Sequence, residues 1–116
     1  MKKVWATKWV KALRSGEYKQ TKGVLYNGKG YCCLGVLCKI TGEEFTYSKE
    51  KNRYCVRGGG SNLESVLLPL HVINKVGMKS CSGLWLRHED SLSELNDQGK
   101  SFEQIADIIE ENYKEL

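Results

Sequence analysis

Lys22-Gly-Val-Leu-Tyr-Asn-Gly-Lys-Gly-Tyr-Cys-Cys-Leu-Gly-Val-Leu-Cys38 is the stretch whose reading decides the fold. Two short β-prone runs flank Asn27-Gly28, a dipeptide that suits a two-residue type I′ hairpin turn because both central positions need positive φ. That turn pairs Tyr26 with Lys29, Val24 with Tyr31 and Lys22 with Cys33. One hairpin face then carries Lys22, Val24, Tyr26, Lys29, Tyr31 and Cys33. The other carries Gly23, Leu25, Gly30 and Cys32, bare enough for another element or a ligand to approach the backbone. From Cys33 the period becomes helical: Leu34, Leu37 and Cys38 share a stripe, and Gly42 is placed to end it.

Working outward toward the N-terminus, Trp5, Trp9, Ala12 and Leu13 recur at helical spacing over Val4 to Ser15, with Gly16 as a C-terminal cap. The two tryptophans read as core anchors, although a basic amphipathic helix also suits a membrane surface or a partner. Toward the C-terminus, Phe45–Tyr47 and Arg53–Val56 form a second hairpin around Ser48–Asn52. A glycine run, Gly58-Gly-Gly-Ser-Asn62, reads as a mobile connector; as a phosphate cradle it lacks the context of a P-loop. Pro69 opens a short helix with Leu70, Ile73 and Val76 inward and Gly77 at its end. Leu84–Arg87 reads as a last strand or an extended loop. Two capping boxes, Ser91-x-x-Glu94 and Ser101-x-x-Gln104, start two further helices with Asn96–Gly99 as the turn between them. Phe102, Ile105, Ala106 and Ile109 form the apolar stripe of the last one. These elements predict one α+β domain over residues 1–116: an antiparallel sheet of about four strands, packed on one side with four to five short helices.

Composition narrows the functional classes. The chain has 116 residues, enough for a real core, and an apolar and charged content typical of a globule. No run is long enough to span a bilayer, and Lys8 and Lys11 break up any signal-peptide core. An odd number of cysteines, five, with no export signal points to free thiols in a reducing cytosol. Residues 1–57 hold thirteen Lys or Arg against four Asp or Glu, whereas residues 58–116 hold five against ten. This split suits either an anionic partner for the basic half or attraction between the halves within one fold.

Three chemistries are weighed on the residues. Cys32, Cys33, Cys38, Cys55, Cys81, His71 and His88 lack the local C-x-x-C or H-x-x-x-H spacing of a zinc site, so buried thiols are expected and no metal or other cofactor. No local pattern marks a catalytic pair; His88-Glu89-Asp90 reads as a polar loop before a helix. The segment from Ser101 to Ile109 looks like the first helix of a helix-turn-helix, but it is acidic and no recognition helix follows, so sequence-specific DNA reading is not expected. The constellation that remains is basic and aromatic: Lys22, Tyr26, Lys29, Tyr31, Arg53, Tyr54 and Arg57. Rings stack bases and cationic groups hold phosphates, which suits a nucleotide-like ligand or single-stranded nucleic acid. An exposed basic sheet face without a ligand is the alternative.

Three motifs carry a resemblance: Trp9…Ala12-Leu-Arg-Ser-Gly-Glu-Tyr18…Gln20…Gly23-Val-Leu25, Tyr31-Cys-Cys-Leu-Gly-Val-Leu-Cys38, and Leu95-Asn-Asp-Gln-Gly-Lys-Ser-Phe102…Ile105-Ala-Asp107. Together they resemble a family of small accessory proteins of tailed bacteriophages and prophages. The region from Phe45 to Trp85 fits that pattern least. The resemblance implies an accessory protein in the cytoplasm of a bacterial host and supplies no reaction or catalytic residue. By analogy of context it implies counter-defence, through sequestering a nucleotide signal. The resulting expectation is non-catalytic binding of a small anionic, nucleotide-derived ligand. A module that inhibits a host protein, through the acidic last helix, is the alternative; a hydrolase is a third reading. Pairing with a second copy of the chain stays open.

Overall fold

The computed structural model describes residues 1–58, 62–85 and 88–116. It is an α+β fold in the order α1 (Lys3–Arg14), α2 (Cys33–Ile40), β1 (Thr46–Ser48), β2 (Arg53–Arg57), β3 (Leu63–Glu64), α3 (Leu70–Val76), α4 (Leu92–Asp97) and α5 (Phe102–Asn112). The three strands form one antiparallel sheet in the order β1-β2-β3.

The helices, not the sheet, make the centre. α2 lies inside the molecule, with every residue from Cys33 to Cys38 buried. It packs between α1 and α4, and α5 closes the group by packing on α1 and α4. Trp9 is fully buried on α1, and its indole Nε1 donates to the Cys33 carbonyl at 2.9 Å, which fixes α1 against the start of α2. Trp5 is only partly buried, its ring under the Lys8 ammonium 4.7 Å from the centroid. Ala6, Val10 and Leu13 are the other buried residues of that helix. Both capping boxes form, and the apolar stripe of α5 is buried as the periodicity requires.

The first hairpin is not built as expected. Tyr26 faces Tyr31 rather than Lys29, in an isolated bridge, and neither run becomes a regular strand. Gly28 has φ +93°, but Asn27 does not enter the left-handed region, so the turn is not type I′. Asn27 instead folds its side chain back: Oδ1 accepts the N–H groups of Lys29 and Gly30 at 2.9 and 2.7 Å. This Asx geometry satisfies the loop backbone locally and opens it to four residues, with Asn27 N–H donating to Gly30 O. Of the glycines expected on the bare face, Gly23 stands in open space and only Gly30 is closely approached. A Cβ on Gly30 would stand 2.9 Å from the Lys19 carbonyl oxygen.

Other differences have equally local causes. The sheet has three strands because the Lys22–Cys33 loop contributes none and the two-residue β3 takes the remaining edge. The second hairpin forms as read, with Tyr47 opposite Tyr54 and Ser48 opposite Arg53, and Asn52 left-handed at φ 53°. Cys32 and Cys33 are not on opposite faces of a strand: Cys32 is the N-cap of α2 and Cys33 its first residue. Pro69 is likewise the N-cap of α3, and Leu70, expected inward, is 67% exposed, while Val72 faces the core. The glycine connector reading falls on Gly59, Gly60 and Ser61, and the last-strand reading on Leu86 and Arg87, all outside the described residues. Leu84 and Trp85 are not in a strand.

Candidate functional site

The residues that carry the sequence resemblance are bonded to one another. Asn96, at the end of α4, is fully buried. Its Oδ1 accepts from Gln20 Nε2 at 2.9 Å and from the Cys33 N–H at 3.1 Å, and its Nδ2 donates to Thr21 O at 2.8 Å. Gln20 goes further: Nε2 donates to Lys100 O at 2.7 Å and Oε1 accepts from the Phe102 N–H at 3.1 Å. Asp97 Oδ1 accepts the Gly23 N–H at 2.9 Å. Gly35 completes the fit, since any Cβ there would collide with the Leu25 backbone. These positions explain the motifs by structure: Asn96 satisfies the buried Cys33 N–H, Gln20 and Asp97 tie the chain before α2 to the α4–α5 turn nearer the surface, and Gly35 admits the Leu25 backbone.

The chemistry-bearing surface lies beside this hub. Tyr26 stacks on Tyr31 with ring centroids 4.5 Å apart and meets Phe45 at 5.1 Å and Tyr54 at 5.0 Å. Tyr18 abuts Tyr31 at 5.4 Å, and Tyr47 abuts Tyr54 at 5.3 Å. Six rings thus form one continuous aromatic patch. At its outer end a cleft of about 200 Å³ is lined by Val24, Tyr26, Asn27, Tyr47, Asn52, Arg53 and Tyr54. The Tyr47 hydroxyl is hydrogen-bonded to Asn52 Oδ1. Among the described residues no acidic side chain lines this cleft.

Of the seven residues expected from sequence, three line the cleft: Tyr26, Arg53 and Tyr54. Tyr31 sits behind Tyr26, and burial, then the neighbouring Tyr26 and Tyr18, push its phenol above the ordinary range. Arg53 has a divided role, since its Nη1 stands 3.4 Å from Ser65 Oγ. Alternation along β2 puts it on the sheet face opposite Tyr54. Arg57 belongs to a different depression, shared with Glu43 and Glu44. Lys29 is exposed in the Asx loop, and Lys22 reaches toward the α4–α5 turn near Gly99. Neither lysine lines the cleft. Tyr47, half exposed, and Asn52 belong to the cleft and were missed, although hairpin pairing with Tyr54 was enough to place Tyr47 on its face.

The remaining reactive groups are occupied elsewhere. All five cysteines are free, and burial pushes the Cys32 thiol up to about 11 and raises those of Cys33 and Cys38 well above the ordinary range. Such thiols are poor nucleophiles and metal ligands. Among the described residues no three His, Cys, Asp or Glu side chains gather as a metal site requires. His88 Nδ1 is held by its own turn, 2.8 Å from Asp90 O, and the ring stacks on Trp85. His71 Nε2 meets Glu43 Oε1 at 2.6 Å, linking α3 to the segment after α2. The basic and acidic halves do attract each other within the fold: Arg14 Nη2 and Nη1 reach Asp107 at 2.6 Å and Glu110 at 2.9 Å, with Glu103 at 3.7 Å from Nε.

No helix of the described residues is long and apolar enough to cross a membrane. No curated protein and no solved structure matches the chain. Matched over residues 1–113 by the family described as Domain of unknown function (DUF8296), the chain belongs to that family.

Proposed function

We propose that the protein binds a small anionic, nucleotide-derived ligand at the Tyr47–Tyr54–Arg53 cleft and holds it without converting it. On this reading it is a phage accessory protein that sequesters a host nucleotide signal in the bacterial cytoplasm. The observation that carries the reading is a cleft at the end of a continuous aromatic patch, lined by Tyr26, Tyr47 and Tyr54 with Arg53 and, among the described residues, by no acidic side chain. A base edge or face fits against tyrosine, and the Arg53 guanidinium, on turning from Ser65 toward the cleft, would supply a charge-assisted bond to phosphate. The absence of a local nucleophile–base pair in the cleft lining favours holding over turnover.

A second reading has its own support. At about 200 Å³ the cleft is smaller than the roughly 300–1,000 Å³ usual for small-molecule sites. Tyrosine-rich patches also anchor protein interfaces, so the same surface suits a host protein that the chain would inhibit. A thermal-shift screen against linear and cyclic nucleotides, followed by mass analysis of the recovered ligand, separates the readings. A shift with unchanged ligand supports sequestration, and conversion points to an enzyme. No shift with any nucleotide transfers the patch to a protein partner.

A further inference from the structure

The outer face of the α1–α5 pair carries charge in two opposed stripes. α1 holds Lys3, Lys8, Lys11 and Arg14 and no acid; α5 holds Glu103, Asp107, Glu110 and Glu111 and no base. Lys3, Thr7, Lys11 and Arg14 recur every three or four residues along one edge, as do Glu103, Asp107 and Glu110 along the other. Between them runs a groove floored by Ala6 and Val10. It opens as two adjoining depressions of about 380 and 510 Å³ that share Thr7, Val10 and Glu110. The helices are antiparallel: Arg14, at the end of α1, meets Glu103 near the start of α5, and Lys3 lines the groove with Tyr113 past the end of α5.

Arg14 offsets only part of the acidic stripe, and Lys3 and Lys11 make no ion pair among the described residues. The face is therefore dipolar across the groove, basic on one wall and acidic on the other. A partner of a single charge sign would meet repulsion from one wall. A second copy of the chain would not. Rotation by a half-turn about an axis lying along the groove sets each α1 over the partner's α5 and brings opposite stripes together on both sides. We infer that this face is a self-association surface, through which two copies form an isologous four-helix arrangement with their Ala6–Val10 floors facing each other across the axis.

Sedimentation equilibrium of the full chain across a micromolar concentration series tests this, with circular dichroism to confirm folding. A dimer that weakens as salt rises is expected. The double variant Lys3→Glu with Lys11→Glu should raise the dissociation constant by roughly tenfold or more, since each change acts twice across the two-fold axis. A second double variant, Glu103→Lys with Asp107→Lys, should also fail to pair with itself. Mixing the two variants should restore a heterodimer, an outcome that a merely structural role for these side chains would not produce. A native chain that stays monomeric, or a dimer indifferent to both substitutions, would overturn the inference.

Discussion

Asn96 caps Cys33 from 63 residues away: its Oδ1 accepts the N–H of the first residue of α2 at 3.1 Å. The local N-cap, Cys32, makes no such bond, so α2 begins without side-chain help from its own neighbourhood. A remote amide does the work of a cap and joins α4, α2 and the Gln20–Thr21 segment in one network. No buried side-chain nitrogen or oxygen among the described residues is left without a partner.

Replacing Asn96 with Leu should therefore cost more than an ordinary surface cap. It leaves the buried Cys33 N–H and the part-buried Thr21 carbonyl without their partner, a loss of about 2–4 kcal/mol in urea unfolding. Asn96→Asp keeps the acceptor for Cys33 but loses the donor to Thr21, and it should be damaging as well. An unfolding midpoint unchanged by either substitution would show that the network carries no stability.

The glycines separate two kinds of constraint. Gly35 sits in α2 where any Cβ strikes the Leu25 backbone, which cannot move without unpacking the Lys22–Cys33 loop. Gly23 has φ +80° but open space around its Cβ position. Gly35→Ala should cost about 3 kcal/mol or more, by overpacking against backbone. Gly23→Ala should cost only about 1 kcal/mol, from its left-handed conformation. Equal losses at the two positions would refute this division.

Those examples show what was legible in the sequence and what was not. The capping boxes at Ser91 and Ser101 and the second hairpin are local signals, and each is present in the fold; of the α1 stripe Trp9 and Leu13 are buried, whereas Trp5 and Ala12 are only partly so. Asn27-Gly28 misled because an Asn side chain can satisfy a loop directly, as Oδ1 does here for the N–H groups of Lys29 and Gly30. Asn96 read as a turn residue because asparagine is rarely buried; only the distant Cys33 and Gln20 make its burial tolerable. The cationic residues of the expected site scattered for the same reason. Strand alternation sends Arg53 and Tyr54 to opposite faces, and Arg57 settles beside Glu43 and Glu44.

The thiols give a pH signature. Burial holds Cys32 up at about 11, against 9.0 for an exposed thiol, and Cys33 and Cys38 shift the same way. Below about pH 9 both folded and unfolded chains keep these thiols protonated, and their contribution is fully present. As pH rises, the unfolded chain releases protons that the folded chain must hold, so stability falls from about pH 9 upward. Cys32 alone should account for a loss on the order of 2 kcal/mol by pH 11, read from urea midpoints. Cys32→Ala should flatten that decline. In the native protein at neutral pH, a thiol reagent should label the half-buried Cys81 well before Cys32, Cys33 or Cys38. Rapid labelling of all five would contradict the burial.

The ligand reading makes the sharpest demand, because the structure divides the expected site into parts that should behave differently. Tyr47, Arg53 and Tyr54 line the cleft, whereas Arg57, Lys22 and Lys29 do not. For a nucleotide found in the thermal-shift screen, Tyr47→Ala should weaken binding by about 1–3 kcal/mol through lost stacking. Arg53→Ala should weaken it by a similar amount, roughly 1.5–3 kcal/mol, through loss of a charge-assisted bond to phosphate. Affinity should also fall with salt, since exposed charges are screened over about 8 Å at physiological ionic strength. Arg57→Ala and Lys22→Ala should change affinity little, because the first lies among carboxylates in another depression and the second points to the α4–α5 turn. Gly28→Ala supplies a final discriminator. Its Cβ would press on the Tyr54 ring, 2.9 Å from Cε2, so it should disturb the cleft without touching any charge. Calorimetric titration of these variants decides the matter: sensitivity at Lys22 and Arg57 with indifference at Tyr47 and Arg53 would move the ligand off this cleft altogether.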